Sequence, residues 1–320
     1  RGARVFPVSD KSFDIVDALL KYVKTGGVKI RFDTPIERIT RTEKGFTIVS
    51  GSESFETRAL IVATGGLSYP VTGSTGDGHR MLKQLGLTVT DCCPALIPLT
   101  SNDEICRELM GLSLRNVRVT LSAEGKKLYQ ELGEMLFTHF GLSGPLVLSA
   151  SSYLQAYLRK QQLKAAQAEA VLHIDLKPAL SRETLDLRVQ KDLEKYHTSY
   201  MRGALSDLLP HRMIAWVLSR AGIDPGKRAA DLTKKERMRL LDTLKDFCIS
   251  ISGTRPMEEA IITAGGVDVS QITPKTMMVK QIPGLFAAGE LLDIDGLTGG
   301  FNLQWAWTSG IAAGRAMGRI

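Results

Sequence analysis

The sequence predicts an α/β protein in which one discontinuous domain, residues 1–90 and 261–320, is interrupted by an inserted β-plus-helical domain, residues 91–260. Three observations predict it. Two apolar runs, ALIVATGG (Ala59–Gly66) and GLFAAGE (Gly284–Glu290), end in glycine-bearing loops, the pattern of buried parallel strands that deliver a loop to one sheet edge. The texture changes near Asp91 to short strand-and-turn pieces and then to helical periodicity. From Ile261 the strand-and-glycine texture returns.

Each element has a local reason. Ser9 or Asp10 is positioned to cap a helix carrying Phe13, Val16, Leu19, Leu20 and Val23 at helical spacing, and Gly26-Gly27 ends it. Strands are expected at Val28–Phe32, Pro35–Thr40, Phe46–Ser50 and Phe55–Ala63, then a helix over Gly78–Leu85 stopped by Gly86. In the insert, Val117–Leu121 and Lys127–Leu132 flank Ala123-Glu124-Gly125 and read as a hairpin. Val171–Leu176 is a further strand. Helical patterns run from Ser181 to about Phe247, with a capping box at Thr233 and Glu236 and a buried stripe of Met238, Leu241, Leu244 and Cys248. Gly284–Glu290 is a strand, and Asn302–Gly318 is a last helix rich in Gly and Ala.

Composition narrows the function. Of 320 residues, 43% are apolar and 23% charged, enough for a folded core. No apolar stretch approaches the roughly 18–20 residues of a membrane span, so no membrane association and a cytoplasmic location are expected. The net charge of +7 is spread along the chain, and aromatic residues make up only 6%. Nucleic-acid binding, which favours a clustered basic face, is therefore not expected; the charge suits attraction of phosphate-bearing cofactors. The four cysteines, Cys92, Cys93, Cys106 and Cys248, form no C-x-x-C pair and have no histidine at ligand spacing, so reduced thiols and no metal site are expected.

Four segments carry the chemistry. Ala63, Thr64, Gly65 and Gly66 close the first apolar strand at the sheet edge where ligands bind in open α/β folds. GSTGDG (Gly73–Gly78) opens a helix, and Gly76 and Asp77 suit a loop wrapped over a dinucleotide; the plainer reading makes Asp77 an N-cap. Gly289 and Glu290 end the second apolar strand. Gly299, Gly300 and Phe301 then open the last helix, allowing close backbone approach, with Asn302, Leu303 and Gln304 supplying N–H groups to a negatively charged group. The plainer reading caps that helix with Asn302. His139, in FTHFGLSGP (Phe137–Pro145), is a candidate general acid or base, or a loop-bonding histidine. Pro145 suits a first helical position.

Together with RVFPVSDKS (Arg4–Ser12), SYPVTGSTGDGH (Ser68–His79), TRPMEEAIITAGGV (Thr254–Val267) and the long GLFAAGELLDIDGLTGGFNLQWAWTSGIAAG (Gly284–Gly314), these segments resemble the bacterial NAD(P)/FAD-dependent oxidoreductases, the family that includes aminoacetone oxidase and BaiN-type flavoproteins. The resemblance extends along nearly the whole chain. It implies a Rossmann-like FAD-binding domain with an insert, and FAD as cofactor. Thr64 and Gly65 would lie near FAD, Gly289 and Glu290 at the ribityl–pyrophosphate region, and Asn302–Gln304 at the flavin ring. The strand around Pro35 and Ile36 would offer backbone contacts to adenine. The family also has an N-terminal GxGxxG unit; none occurs here, and the chain begins at Arg1, so a fragment is expected.

The resulting expectation is a flavoprotein oxidoreductase transferring hydride between a small organic substrate and FAD, with NAD(P)H as a transient donor or oxygen as electron partner. Two alternatives stay open: an RNA-modifying flavoprotein, supported only by charge, and a non-catalytic remnant or partner-binding module. Substrate and oligomeric state are not specified by the sequence.

Overall fold

The computed structural model describes residues 4–163 and 167–320, which divide into two compact units, Arg1–Cys92 with Gly265–Ile320 and Cys93–Ala264.

The first unit begins with helix α1 (Ser12–Thr25), none of whose residues is buried. Its N-cap is Lys11, without a side-chain cap bond. Ser9 and Asp10 do not cap it: Asp10 takes a left-handed backbone and Ser9 Oγ donates instead to the Asp14 carboxylate. Strands β1 (Arg38–Thr42), β2 (Gly45–Ser50) and β3 (Glu53–Thr57) form an antiparallel meander. The strand expected at Val28–Phe32 is irregular: Val28, Ile30 and Phe32 are exposed, and an apolar alternation becomes a strand only where a partner ladder meets it. Pro35 and Ile36 precede β1, although Glu37 already donates to the Val49 carbonyl. The run Phe55–Ala63 is split into β3 and β4 (Leu60–Val62) by a turn in which Thr57 Oγ1 donates to the Ala59 carbonyl. Helix α2 (Asp77–Gln84) and strand β5 (Val89–Ala95) follow.

The second unit is built on one antiparallel sheet. In chain order it contains β6 (Leu99–Thr100), α3 (Glu104–Glu108), β7 (Ser113–Ala123), β8 (Lys126–Thr138) and β9 (Gly141–Ser143). Then come α4 (Pro145–Gln161), β10 (Ala170–Asp175), α5 (Arg182–Lys195), α6 (Met201–Ala204), α7 (His211–Arg220), α8 (Lys234–Lys245), β11 (Phe247–Ile251) and β12 (Gly253–Thr254). The sheet order is β11-β10-β7-β8-β9-β6-β12. The β7–β8 hairpin turns at Glu124-Gly125, both in left-handed backbone, as a tight hairpin turn demands. Pro145 is the first residue of α4, after Gly144. Thr233 and Glu236 form a full capping box on α8. Leu240, Leu241 and Leu244 are its buried stripe, whereas Cys248 lies in β11 and not on the helix, because Asp246 ends the helical backbone. The core of this unit runs through Val119, Leu121, Phe137, Val147, Leu172, Val217 and Leu241.

The chain returns to the first unit through β13 (Ile262–Val267), β14 (Leu285–Ala287) and the terminal helix α9 (Phe301–Met317). β14 pairs in parallel with β4, Leu285 opposite Leu60 and Ala287 opposite Val62. Phe46, Leu82, Val279, Leu285 and Phe286 form the core under this pair, each such burial contributing roughly 1.5–3 kcal/mol. Among the described residues no helix is long and apolar enough to cross a membrane.

Candidate functional site

The parallel pairing of β4 and β14 places two loops side by side. Ala288 N donates to the Val62 carbonyl at 3.1 Å, so Ala63–Gly66 and Gly289–Glu290 leave the same carboxyl-end edge. That edge is where open α/β folds bind ligands. Ala63 and Thr64 are exposed, Gly65 and Glu290 half-buried, and Gly66 buried.

Helix α2 closes on this edge. A Cβ on Gly78 would lie 2.1 Å from Thr64 Oγ1 and 2.9 Å from Leu291 Cδ1, so only glycine lets the helix approach so near. Gly76, left-handed at φ 78°, is the N-cap of α2. Asp77 is therefore the first helical residue; it accepts from Thr75 Oγ1 and Arg80, which hold its carboxyl below the usual aspartate range. The next residue but one, His79, is buried, with Nε2 3.0 Å from the Leu291 carbonyl and Nδ1 3.8 Å from Cys92 Sγ. Burial pushes its pKa down, favouring the neutral imidazole. Ser68 Oγ donates to Glu290 at 2.9 Å.

Helix α9 is tied to the same place through its second and third turns. Gly289 N donates to Ser309 Oγ at 2.9 Å, and Trp305 Nε1 donates to the Gly289 carbonyl at 3.1 Å. Gly289 itself is left-handed at φ 76°. The N-cap of α9 is Gly300, not Asn302. The Asn302 side chain instead folds back on the preceding loop, accepting from Gly296 N and donating to Gly296 O. The Gln304 N–H is committed to the Gly300 carbonyl. The N–H groups that precede the first intrahelical donor, Gln304, are thus those of Phe301, Asn302 and Leu303, one residue earlier than expected. The Gln304 side chain donates to Thr308 Oγ1. Phe301 and Leu303 are 63% and 60% exposed, and a Cβ on Gly300 would meet nothing within 4 Å.

The remaining candidates lie on other elements. Pro35 is exposed and Ile36 packs on the core of the first unit. His139 belongs to the second unit, where it is exposed in the β8–β9 turn with its ring edge-on to Phe140. Spacing alone does not mark Ser68, His79 or Ser309; the nearest signals are the polar cluster at Ser68–His79 and the i, i+4 separation of Trp305 and Ser309. Nor does spacing suggest a metal set, yet the fold of the second unit gathers His173, Asp246 and Cys248 with one ligand atom each within 4.8 Å of the others.

The model of the HI0933-like protein Rossmann domain matches residues 1–316. The chain belongs to this family, an FAD-binding one, and its α/β architecture is that of a Rossmann-like fold. Among its relatives is a ribosomal RNA dihydrouridine synthase of Escherichia coli, 31% identical over 94% of this chain and 70% of the relative. A second, from Haemophilus influenzae and bearing the same name, is 33% identical over 95% and 72%. A 3-dehydro-bile acid delta(4,6)-reductase of Clostridium scindens, a flavoprotein of the family, is 27% identical over 99% and 76%.

Proposed function

We propose that this protein is an FAD-dependent oxidoreductase that transfers hydride between flavin and an organic substrate whose carbon–carbon double bond is conjugated to a carbonyl. The observation that carries this reading is the anchoring of α9, through Trp305 and Ser309, to Gly289, at the edge where β4 and β14 end. Two features support a fit to the cofactor: open space at Gly300 and an exposed first turn of α9, both offering backbone rather than side chain. Thr64, Gly65, Gly289 and Glu290 would hold the ribityl–pyrophosphate portion, and the N–H groups of Phe301, Asn302 and Leu303 the flavin ring, with Pro35 and Ile36 beside adenine.

When bound, FAD would supply the two-electron chemistry. The chain's own part is electrostatic and positional. The positive end of α9 favours negative charge at its start. The Ser309 and Trp305 bonds hold the helix against Gly289, and Ser68 orients the Glu290 carboxylate. The substrate class rests on the relatives' names: a dienone reductase and a dihydrouridine synthase both saturate a double bond beside a carbonyl. NAD(P)H is the proposed donor.

A second reading places the double bond in a uracil of RNA. The names of two relatives at 31% and 33% identity favour it, as does the charge of +7. One experiment separates the readings. The purified full-length gene product is expected to show a flavin absorbance spectrum that bleaches with NADH or NADPH and recovers on adding either a conjugated enone or a uridine-containing RNA. Recovery with RNA alone, with binding that weakens steeply with salt, selects the second reading. A colourless protein that takes up no added FAD overturns both.

A further inference from the structure

Strands β10 and β11 are neighbours in the sheet of the second unit, and His173 and Cys248 stand directly opposite each other across them. Asp246 immediately precedes β11. His173 Nδ1 lies 2.8 Å from Asp246 Oδ1. Cys248 Sγ lies 3.3 Å from the same Nδ1 and 3.4 Å from the same Oδ1. The imidazole is held from its other side, with Nε2 3.0 Å from Ser122 Oγ on β7. A partner on the distal nitrogen is what orients histidine when the near nitrogen is a metal ligand.

We propose that His173 Nδ1, Cys248 Sγ and a carboxylate oxygen of Asp246 form a three-ligand site for a zinc-class divalent metal ion, with the fourth position open to solvent. Tetrahedral zinc with Zn–N and Zn–O near 2.0–2.1 Å and Zn–S near 2.3 Å sets its ligand atoms roughly 3.4–3.6 Å apart. The two sulfur distances already lie close to that spacing. The nitrogen–oxygen pair must open by about half an ångström from hydrogen-bond to ligand separation. Asp246 has the freedom to do so, because its side chain is 58% exposed. The donor set selects the metal: thiolate and imidazole favour zinc or cobalt over magnesium or calcium, which take oxygen.

An ordinary His–Asp ion pair accounts for two of the three members. It does not account for a sulfur nearly equidistant from both partners. The neighbouring cations are matched elsewhere: Lys245 pairs with Asp175 at 2.6 Å, and Arg220 lies 3.6 Å from Asp103. Cysteine is ordinarily a thiol near neutral pH. Metal binding replaces that proton with the ion, and the proton leaves to solvent. Three protein ligands and one open position are the composition of reactive rather than purely structural zinc sites. His173 and Asp246 also line a groove of about 470 Å³ together with Thr120, Lys127 and Gln130, groups suited to an anionic or polar fourth ligand.

The test is a cobalt(II) titration of the chelator-stripped full chain. The expected result is one equivalent of cobalt giving a thiolate-to-cobalt absorption in the near ultraviolet and the intense visible bands of a four-coordinate site, both removed by added zinc. Cys248→Ser is expected to abolish the near-ultraviolet band. Asp246→Asn, at an exposed position and with no change of shape, is expected to weaken binding about tenfold or more with an unchanged circular dichroism spectrum. A wild-type protein without the thiolate band, a band that persists in Cys248→Ser, or an Asp246→Asn variant that titrates like wild type overturns the site.

Discussion

The indole N–H of Trp305 donates to the carbonyl of Gly289 at 3.1 Å, joining the first turns of the terminal helix to the left-handed glycine that follows β14. Trp305 is only partly buried, and it acts as a strut as well as apolar filler. Trp305→Phe keeps an aromatic side chain, smaller than indole, and removes the donor. It is expected to lower stability by about 0.5–1.5 kcal/mol, the net contribution of one hydrogen bond, since the Gly289 carbonyl still accepts from Leu292 N, and to weaken FAD retention more than Trp307→Phe, whose side chain is exposed. Thermal melting and flavin content of the two variants check this; equal flavin loss in both would remove Trp305 from the site.

Ser309 holds the other side of the same glycine, accepting from Gly289 N while its hydroxyl donates to the Trp305 carbonyl. Ser309→Ala leaves the Gly289 N–H without its acceptor and should cost about 1–3 kcal/mol. Ser309→Cys is not an adequate replacement, because sulfur is a weak acceptor. Ser309→Thr keeps the oxygen and is expected to retain more of the stability. Denaturant midpoints at unchanged slope measure the order.

Gly78 is where α2 meets Thr64. Gly78→Ala drives a methyl to 2.1 Å from Thr64 Oγ1, and overpacking of this kind costs typically 1–3 kcal/mol. Thr64→Ala removes that oxygen, so the double variant is expected to recover part of the loss. The expected non-additivity is about 0.5 kcal/mol or more between residues in contact. Additive melting shifts would mean that the helix relaxes away from Thr64 instead.

The legible parts of this molecule share a property: their signals are local. Thr233 and Glu236 announce the start of α8 because both halves of a capping box fall within four residues, and Glu124-Gly125 announces the β7–β8 turn because the backbone there must be left-handed. The Ala59–Gly66 and Gly284–Glu290 runs are legible as strands ending in glycine loops; their parallel pairing follows only from the fold. Val28–Phe32 misleads for the same reason, since apolar alternation states which side chains favour burial and not whether a partner strand exists. Helix starts shift by one residue where a glycine in left-handed backbone takes the cap from the polar side chain beside it, as at Gly76 with Asp77. At Gly300 the cap lies two residues before Asn302, whose amide is engaged by Gly296. The His173–Asp246–Cys248 cluster joins residues up to 75 positions apart, beyond the reach of any spacing rule.

His79 gives a pH dependence with a definite sign. Burial lowers its folded pKa below the ordinary 6.5, against smaller opposing effects of the Leu291 carbonyl and the Glu290 charge. As pH falls through the unfolded value, the unfolded chain takes up a proton that the folded chain refuses. Stability should therefore be full above about pH 6.5 and fall below it, by at most about 1.4 kcal/mol per pH unit. His79→Gln is expected to flatten that part of the profile. Melting temperatures of both proteins between pH 7.5 and pH 5.5, a range of about one unit either side of the histidine value, decide it; parallel curves would assign the slope to other groups.

Gly300 separates a structural from a functional reason for glycine. Its φ of 89° is left-handed, so Gly300→Ala carries a backbone penalty of about 1–2 kcal/mol. Asparagine tolerates that region better than alanine, and the space around a new Cβ is open. Gly300→Asn is therefore expected to melt closer to wild type than Gly300→Ala. If the space beside Gly300 receives the flavin, Gly300→Asn should nonetheless lose most of its FAD, because the added amide stands where the cofactor approaches the backbone. Stability and flavin content then rank the two variants differently. If both properties fall together in the order wild type, Asn, Ala, the glycine serves the helix start alone and the cradle lies elsewhere along the edge.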